Sequence, residues 1–247
     1  MITHILDDEN SLVSSFAEYV ISQVNRFVES QGFCNIALAG GNSPKAVYSL
    51  LASPLFKDRV DWTNVCFFFG DERYVPADHP RYNGLMVENA FFQPMHIAKN
   101  RIFKVDTTLP PVLAAEQYMA ALKGHFKHKP MEFELVILGL GDNAHTASLF
   151  PYTKVLKEIE PTVKAVFLKK EDDIRITMTA PLINQAKQIA FLVYGTGKAA
   201  AVKQVIQGIR NSEQFPAQLI KPVRGELHWF LDAAAASLIS DYRNHDN

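Results

Sequence analysis

Near the start of the chain, apolar residues recur every three or four positions, at Leu12, Val13, Phe16, Val20, Ile21, Val24, Phe27 and Val28. That spacing lines one face of a helix, with Asn10 or Ser11 placed to cap its start and Gly32 to stop it. Beyond Gly32 the pattern changes to short, nearly continuous apolar runs at Phe33–Ala39, Val65–Phe69, Leu135–Leu138, Val163–Leu168 and Ile189–Tyr194. These alternate with helical stretches at Pro44–Ala52, Pro111–Phe126 and Lys198–Ile209. Unbroken apolar strands are expected where helices cover both faces of a sheet, so the alternation predicts βαβ units. The expected architecture is a Rossmann-like α/β fold with a largely parallel sheet flanked by helices. The closing ELHWFLDAAAASLI reads as a last strand followed by a short helix. No repeat or Pro/Ser-rich linker interrupts the pattern, so residues 1–247 are expected to form a single domain.

Composition narrows the class of function. A chain of 247 residues with 48% hydrophobic content can bury a sizeable core. Its 25 Lys and Arg against 26 Asp and Glu leave a formal charge of −1, which supplies no field for nucleic acid or an acidic membrane surface. Cys34 and Cys66 sit inside apolar runs, outside any disulfide or zinc spacing, and fit a reducing cytoplasm. The opening MITHILDDEN lacks the basic-then-apolar pattern of a signal peptide, and no apolar run is long enough for a bilayer.

In such folds ligands bind at the carboxyl ends of the strands, and the polar residues there are the candidates for chemistry. In LAGGNSPKAVYSLL, strand Ile36–Ala39 runs into Gly40, Gly41, Asn42 and Ser43, with Ser43 as a helix cap and Pro44 at the first helical position. This is either an ordinary tight turn or an anion cradle made from backbone N–H groups at a helix start. Two later glycine turns, Gly139-x-Gly141-x-x-Ala144 and Gly195-x-Gly197-x-x-Ala200, match the loose dinucleotide pattern but lack its context. GTGKA is no Walker A loop, because Ala199 stands where Ser or Thr would bind magnesium.

FFFGDERYVP places Asp71, Glu72 and Arg73 just after a strand, and DHPRYN adds Asp78, His79, Arg81 and Asn83. Arg73 carries a fork suited to phosphate or carboxylate. VILGLGDNAHTASLFP follows a buried strand with a glycine turn and then His145, Thr146 and Ser148; a histidine there can titrate near neutrality. Arg175 and Lys198 add cations at two further strand ends. There is no G-x-S-x-G elbow, no H-E-x-x-H and no paired C-x-x-C. The His125 and His128 pair sits on a basic segment and reads as solvated, so no metal is assigned.

Taken together and in order, LAGGNSPKAVYSLL, FFFGDERYVPADHPRYN, VILGLGDNAHTASLFP, RITMTAPLIN and FLVYGTGKAAAV resemble the 6-phosphogluconolactonases, and the closing LHWFLDAAA is similar too. The resemblance implies a fold shared with the glucosamine-6-phosphate deaminases and hydrolysis of 6-phosphogluconolactone without a cofactor. It implies further that Gly40, Gly41, Asn42 and Ser43 bind the phosphate with Arg175 and Lys198, while Arg73 and His145 face the lactone. His145 would take a proton from the attacking water, and Arg73 or backbone N–H groups would hold the oxyanion. The partner expected is a small sugar phosphate, and the chain is expected to be a monomer or weak homodimer.

Two departures from the family pattern stand out. Asn143-Ala144 replaces the usual Asp-Gly before the histidine, and LKKEDD replaces a proline-rich stretch before RIT. Asn143 can accept a bond from an imidazole N–H but supplies no charge to stabilise imidazolium. Ala144 would be strained, by about 1 kcal/mol, if its position requires a positive φ. Two rivals remain: a deaminase or isomerase of amino-sugar phosphates on the same fold, and a sugar-phosphate-binding protein without catalysis.

Overall fold

The structure, a computed structural model, describes residues 1–127, 130–168 and 173–240. His128 and residues 169–172 of LKKEDD lie outside the described residues. The chain begins with β1 (Ile2–Leu6), α1 (Glu9–Gln31), β2 (Cys34–Leu38), α2 (Asn42–Leu51), β3 (Val65–Phe69) and β4 (Asp71–Arg73). It continues through α3 (Asn83–Val87), α4 (Pro111–His125), β5 (Leu135–Leu138), β6 (Val163–Phe167) and β7 (Ile174–Met178). It closes with α5 (Ala180–Ile183), β8 (Gln188–Val193), α6 (Ala199–Ile206) and β9 (Glu226–Asp232).

Six strands form a parallel sheet in the order β1-β9-β8-β5-β2-β3. Every residue of β2, β3, β5 and β8 is buried, because successive side chains feed two cores on opposite faces of the sheet. Ala37, Phe68, Val136, Phe191 and Trp229 enter one core. Ile36, Phe67, Ile137, Leu192 and Phe230 enter the other, which packs on α1 and α2. This is why those strands read as continuous apolar runs.

A second sheet of three antiparallel strands, in the order β4-β7-β6, departs from the expected alternation. The run at Val163–Leu168 belongs to this small sheet, where only Val163 and Val166 are buried. The two sheets meet at Gly70, whose N–H donates to Leu38 O at 2.9 Å while its own carbonyl accepts from Met178 N at 2.9 Å.

Local signals were partly displaced. The cap of α1 is Asp8, whose Oδ1 accepts from Ser11 N at 2.8 Å, not Asn10 or Ser11. Gly32 ends the helix as expected, in the left-handed conformation at φ 84°. The α2 helix starts two residues earlier than predicted, so Gly41 is its N-cap, Ser43 makes no capping bond among the described residues, and Pro44 is the third helical residue. The segment after β9 forms turns instead of a helix. His125 is not a solvated surface residue: its Nε2 lies 2.8 Å from Asn35 Oδ1, and its ring packs edge-on to Phe68 and Phe103. Among the described residues no helix is long and apolar enough to cross a membrane.

Candidate active site

A cleft of about 450 Å³ opens at the carboxyl ends of β2, β3, β5 and β8. Gly40–Ser43, Arg73, His145 and Lys198 all line it, so seven of the eight residues that the resemblance assigns to the site converge there. The eighth, Arg175, is absent from the lining.

One wall is backbone. Gly41 has φ 102°, a conformation L side chains rarely adopt, and it turns the chain from β2 into α2. The first N–H groups of α2 have no intrahelical acceptor, and the helix dipole adds positive potential at that end. Gly40 is needed for a different reason: a Cβ there would lie 1.9 Å from Asn83 Oδ1. Beneath the turn, the buried Tyr48 hydroxyl donates to Ala39 O at 2.9 Å and accepts from Ala39 N at 3.1 Å, fixing the strand end. Lys198 also lines the cleft and is ion-paired with the exposed Asp142. The turn before it is pinned through Gly195 N, which donates to Asp232 at 3.0 Å.

The facing wall is a tight turn over Gly139–Phe150. Gly141 N donates to His145 O at 2.8 Å, Ala144 N to Gly141 O at 2.9 Å, and Thr146 Oγ1 to Gly139 O at 2.8 Å. Ala144 and Ala147 hold positive φ values of 60° and 46°. Gly141 permits the ring of His145 to fold against the backbone, since a Cβ there would lie 2.0 Å from His145 Nδ1. The imidazole stacks on Phe150 with centroids 4.1 Å apart.

Asn143 Oδ1 lies 2.5 Å from His145 Nδ1 and also accepts the His145 backbone N–H at 3.3 Å. An oxygen that already accepts one N–H faces Nδ1, so the proton is assigned to Nδ1 and the lone pair to Nε2. Burial, followed by the positive charges of Lys198, Arg175 and Arg73, lowers the pKa of His145 to about 4, against a smaller opposing pull from Asp142. The imidazole is therefore neutral at pH 7.

Arg73 sits on β4 directly opposite Arg175 of β7. Arg175, outside the lining, is bonded to Asp173 at 3.0 Å and stands over the Phe150 ring at 6.0 Å. Among the described residues its buried Nη1 has no hydrogen-bond partner. Asp71 also lines the cleft and accepts from Ser148 Oγ at 2.5 Å, tying β4 to the histidine turn. Asp71 and Ser148 were visible in their motifs, but nothing in the sequence paired them across 77 positions. Among the described residues no cluster of His, Cys, Asp and Glu is placed to hold a metal ion.

Residues 7–229 match the family described as glucosamine-6-phosphate isomerases/6-phosphogluconolactonase. A 6-phosphogluconolactonase of Nostoc sp. is 35% identical over 240 residues, covering 96% of this chain and 97% of that protein. The solved 6-phosphogluconolactonase of Trypanosoma cruzi superposes with a TM-score of 0.85 at 23% identity, over 97% of both chains. A monomeric glucosamine-6-phosphate deaminase superposes with a TM-score of 0.82 at 19% identity, over 97% of this chain and all of that one. At those identities the two structures show a shared fold, and the match along the sequence carries the rest: the chain belongs to the glucosamine-6-phosphate isomerase/6-phosphogluconolactonase family.

Proposed function

We propose that this protein hydrolyses 6-phospho-D-glucono-1,5-lactone to 6-phosphogluconate, the lactone-opening step of the oxidative pentose phosphate pathway. The observation that carries the reading is the neutral imidazole of His145, fixed through Nδ1 by Asn143, in a cleft that also holds a helix start and a lysine. The 6-phosphogluconolactonase relative at 35% identity supports it. Two free, buried cysteines suit a cytoplasmic setting.

The substrate phosphate docks on the N–H groups of Gly41–Ser43 and on Lys198, which exchanges Asp142 for it. Arg175 adds positive charge from behind Arg73. Anchoring the phosphate holds the ring carbonyl against the facing wall. His145 Nε2 takes a proton as water attacks the carbonyl carbon, and Arg73 stabilises the oxyanion. When the tetrahedral intermediate collapses, the ring oxygen leaves as an alkoxide and takes the proton back from His145, completing the carboxylic acid and restoring the neutral base. The bound phosphate also offsets the cations that depress His145, so the base strengthens once substrate is in place.

The test is hydrolysis of freshly generated 6-phosphogluconolactone, corrected for spontaneous opening, in wild type and folded His145→Gln. Turnover in the first and its loss in the second is the expected result. Wild-type-level turnover in His145→Gln would remove the histidine from the mechanism. Release of ammonia from glucosamine 6-phosphate, without lactone turnover, would shift the assignment to the deaminase branch.

A further inference from the structure

One carboxylate close to the cleft takes no part in the chemistry above. Glu72, on β4 between Asp71 and Arg73, is 1% exposed. Its Oε1 accepts from Arg73 N and Asn83 N, each at 2.7 Å, and its Oε2 from Gly84 N at 2.9 Å. Asn83 and Gly84 are the first residues of α3, whose N-cap Tyr82 makes no side-chain capping bond among the described residues. Glu72 thus fills the capping role from a different element. Burial raises its carboxyl pKa, to about 8, against the pull of the three N–H donors. All three contacts use it as an acceptor, which is the wiring of a carboxylate.

From Asn83 a hydrogen bond reaches one wall of the cleft and a close packing contact reaches the other. Asn83 Nδ2 donates to Asp71 O at 3.0 Å, while Asn83 Oδ1 occupies the space a side chain on Gly40 would need. The backbone of Arg73, at the lactone end, and Gly40, at the phosphate end, are therefore linked through one buried carboxylate and one amide.

We propose that Glu72, acting through Asn83, is a positioning residue that sets the spacing between Arg73 and the Gly40–Ser43 cradle, and so where the lactone carbonyl falls once the phosphate is anchored. The proposal rests on the assignment of the two walls given above. The cradle's own donors belong to α2, so loss of the spacer leaves phosphate capture intact and misaligns the reacting end. A misplacement of this kind, far smaller than the substrate, is costly to turnover.

The experiment compares Glu72→Gln, Asn83→Ala and the double variant with wild type, measuring kcat and KM for the lactone, competitive inhibition by inorganic phosphate, and Tm. Each single variant is expected to lose about 10- to 100-fold in kcat, with phosphate inhibition within twofold of wild type. The double variant should be no worse than the poorer single one, because both cut the same link. Wild-type kcat with only a lowered Tm would reduce Glu72 to a structural cap and overturn the proposal. So would a parallel loss of phosphate inhibition, or independent, multiplying losses in the double variant. If Glu72→Gln does not fold, Asn83→Ala decides alone, since the Glu72 contacts to backbone survive it; wild-type kcat there overturns the proposal. His145→Gln, run alongside, separates the two ideas: retained turnover would fell the wall assignment, whatever the Glu72 variants do.

Discussion

On the glycine side of the cleft, proposed above to take the phosphate, the unusual backbone angles fall on Gly41 and Gly195, with φ 102° and 90°. On the histidine side they fall on alanines, with φ 60° at Ala144 and 46° at Ala147. A residue with a Cβ costs on the order of 1 kcal/mol in that region, so the second wall holds a conformation its own residues disfavour. It can do so because the turn is over-determined: the Gly141 and Ala144 N–H bonds close it, Ala217 N donates to Ala144 O at 3.0 Å, and the Ala144 methyl is 1% exposed. In the proposed reaction the glycine wall works through groups it leaves bare. The histidine wall works through a side chain it holds still. Anion capture needs unobstructed N–H groups, whereas a general base needs one nitrogen in one place.

The contrast breaks most sharply at His145. Its replacement by Gln should remove about 10²- to 10⁴-fold of kcat while inhibition by inorganic phosphate stays within twofold, as steady-state kinetics would show. A matching loss of phosphate inhibition would mean the walls are not separable. Gly40→Ala probes the other side: with Asn83 held by its bond to Asp71, the added Cβ pushes the Gly40–Ser43 backbone itself out of place, and a rise of about 10²-fold in both KM and the phosphate inhibition constant is expected. Unchanged constants would mean that the contact gives way freely.

Asn143→Asp tests the electrostatics. In the free protein the His145 imidazole should titrate near 4: it can accept a proton above that pH and is charged, hence useless as a base, below it. A carboxylate beside Nδ1 favours the charged form, so the midpoint should move up by about 1 unit or more. An NMR titration of the imidazole, assigned with His145→Gln, measures this directly, and a midpoint that stays or falls would refute the assigned contact. The smallest effect is expected at Ala144→Gly. Relief of the positive φ, about 1 kcal/mol, is offset by the lost methyl burial of about 0.8 kcal/mol and by the looser unfolded chain. Thermal unfolding should therefore place the variant within about 1 kcal/mol of wild type; a larger loss would show that the methyl packs the turn more than the angle strains it.

Much of the parallel sheet was legible because burial on both faces leaves an unmistakable trace, as in Val65–Phe69 or Leu135–Leu138. The first strand was not, because ITHIL is short and exposed or half-buried throughout. Nor was the antiparallel sheet, whose β4 is the three-residue DER and reads as a charged rim. In the site, the glycine turns at the strand ends brought Gly40–Ser43, Arg73, His145 and Lys198 into one cleft as expected. Arg175 could not be placed in the same way, since only strand register sets it directly opposite Arg73, and its place outside the lining follows from packing that no motif records. The bond from Asn143 to His145 was legible as a departure from the family pattern, and Ala144 does take the positive φ that its position demands. Glu72 was legible only as a charge. Its partners Asn83 and Gly84 lie 11 and 12 residues away, across a loop whose course local sequence does not fix.

The close approach of Asn83 to Gly40 also constrains how this cleft can change over generations. With 1.9 Å between the amide oxygen and the place of a methyl group, a side chain added at position 40 forces a shift in the cradle or in Asn83 unless position 83 has become smaller first. Shrinking Asn83 first gives up its bond to Asp71. Each of the two steps is therefore disfavoured when taken alone, and a route through their joint change is narrow. The two positions are expected to drift together or not at all, and libraries that vary the cradle should randomise them as a pair.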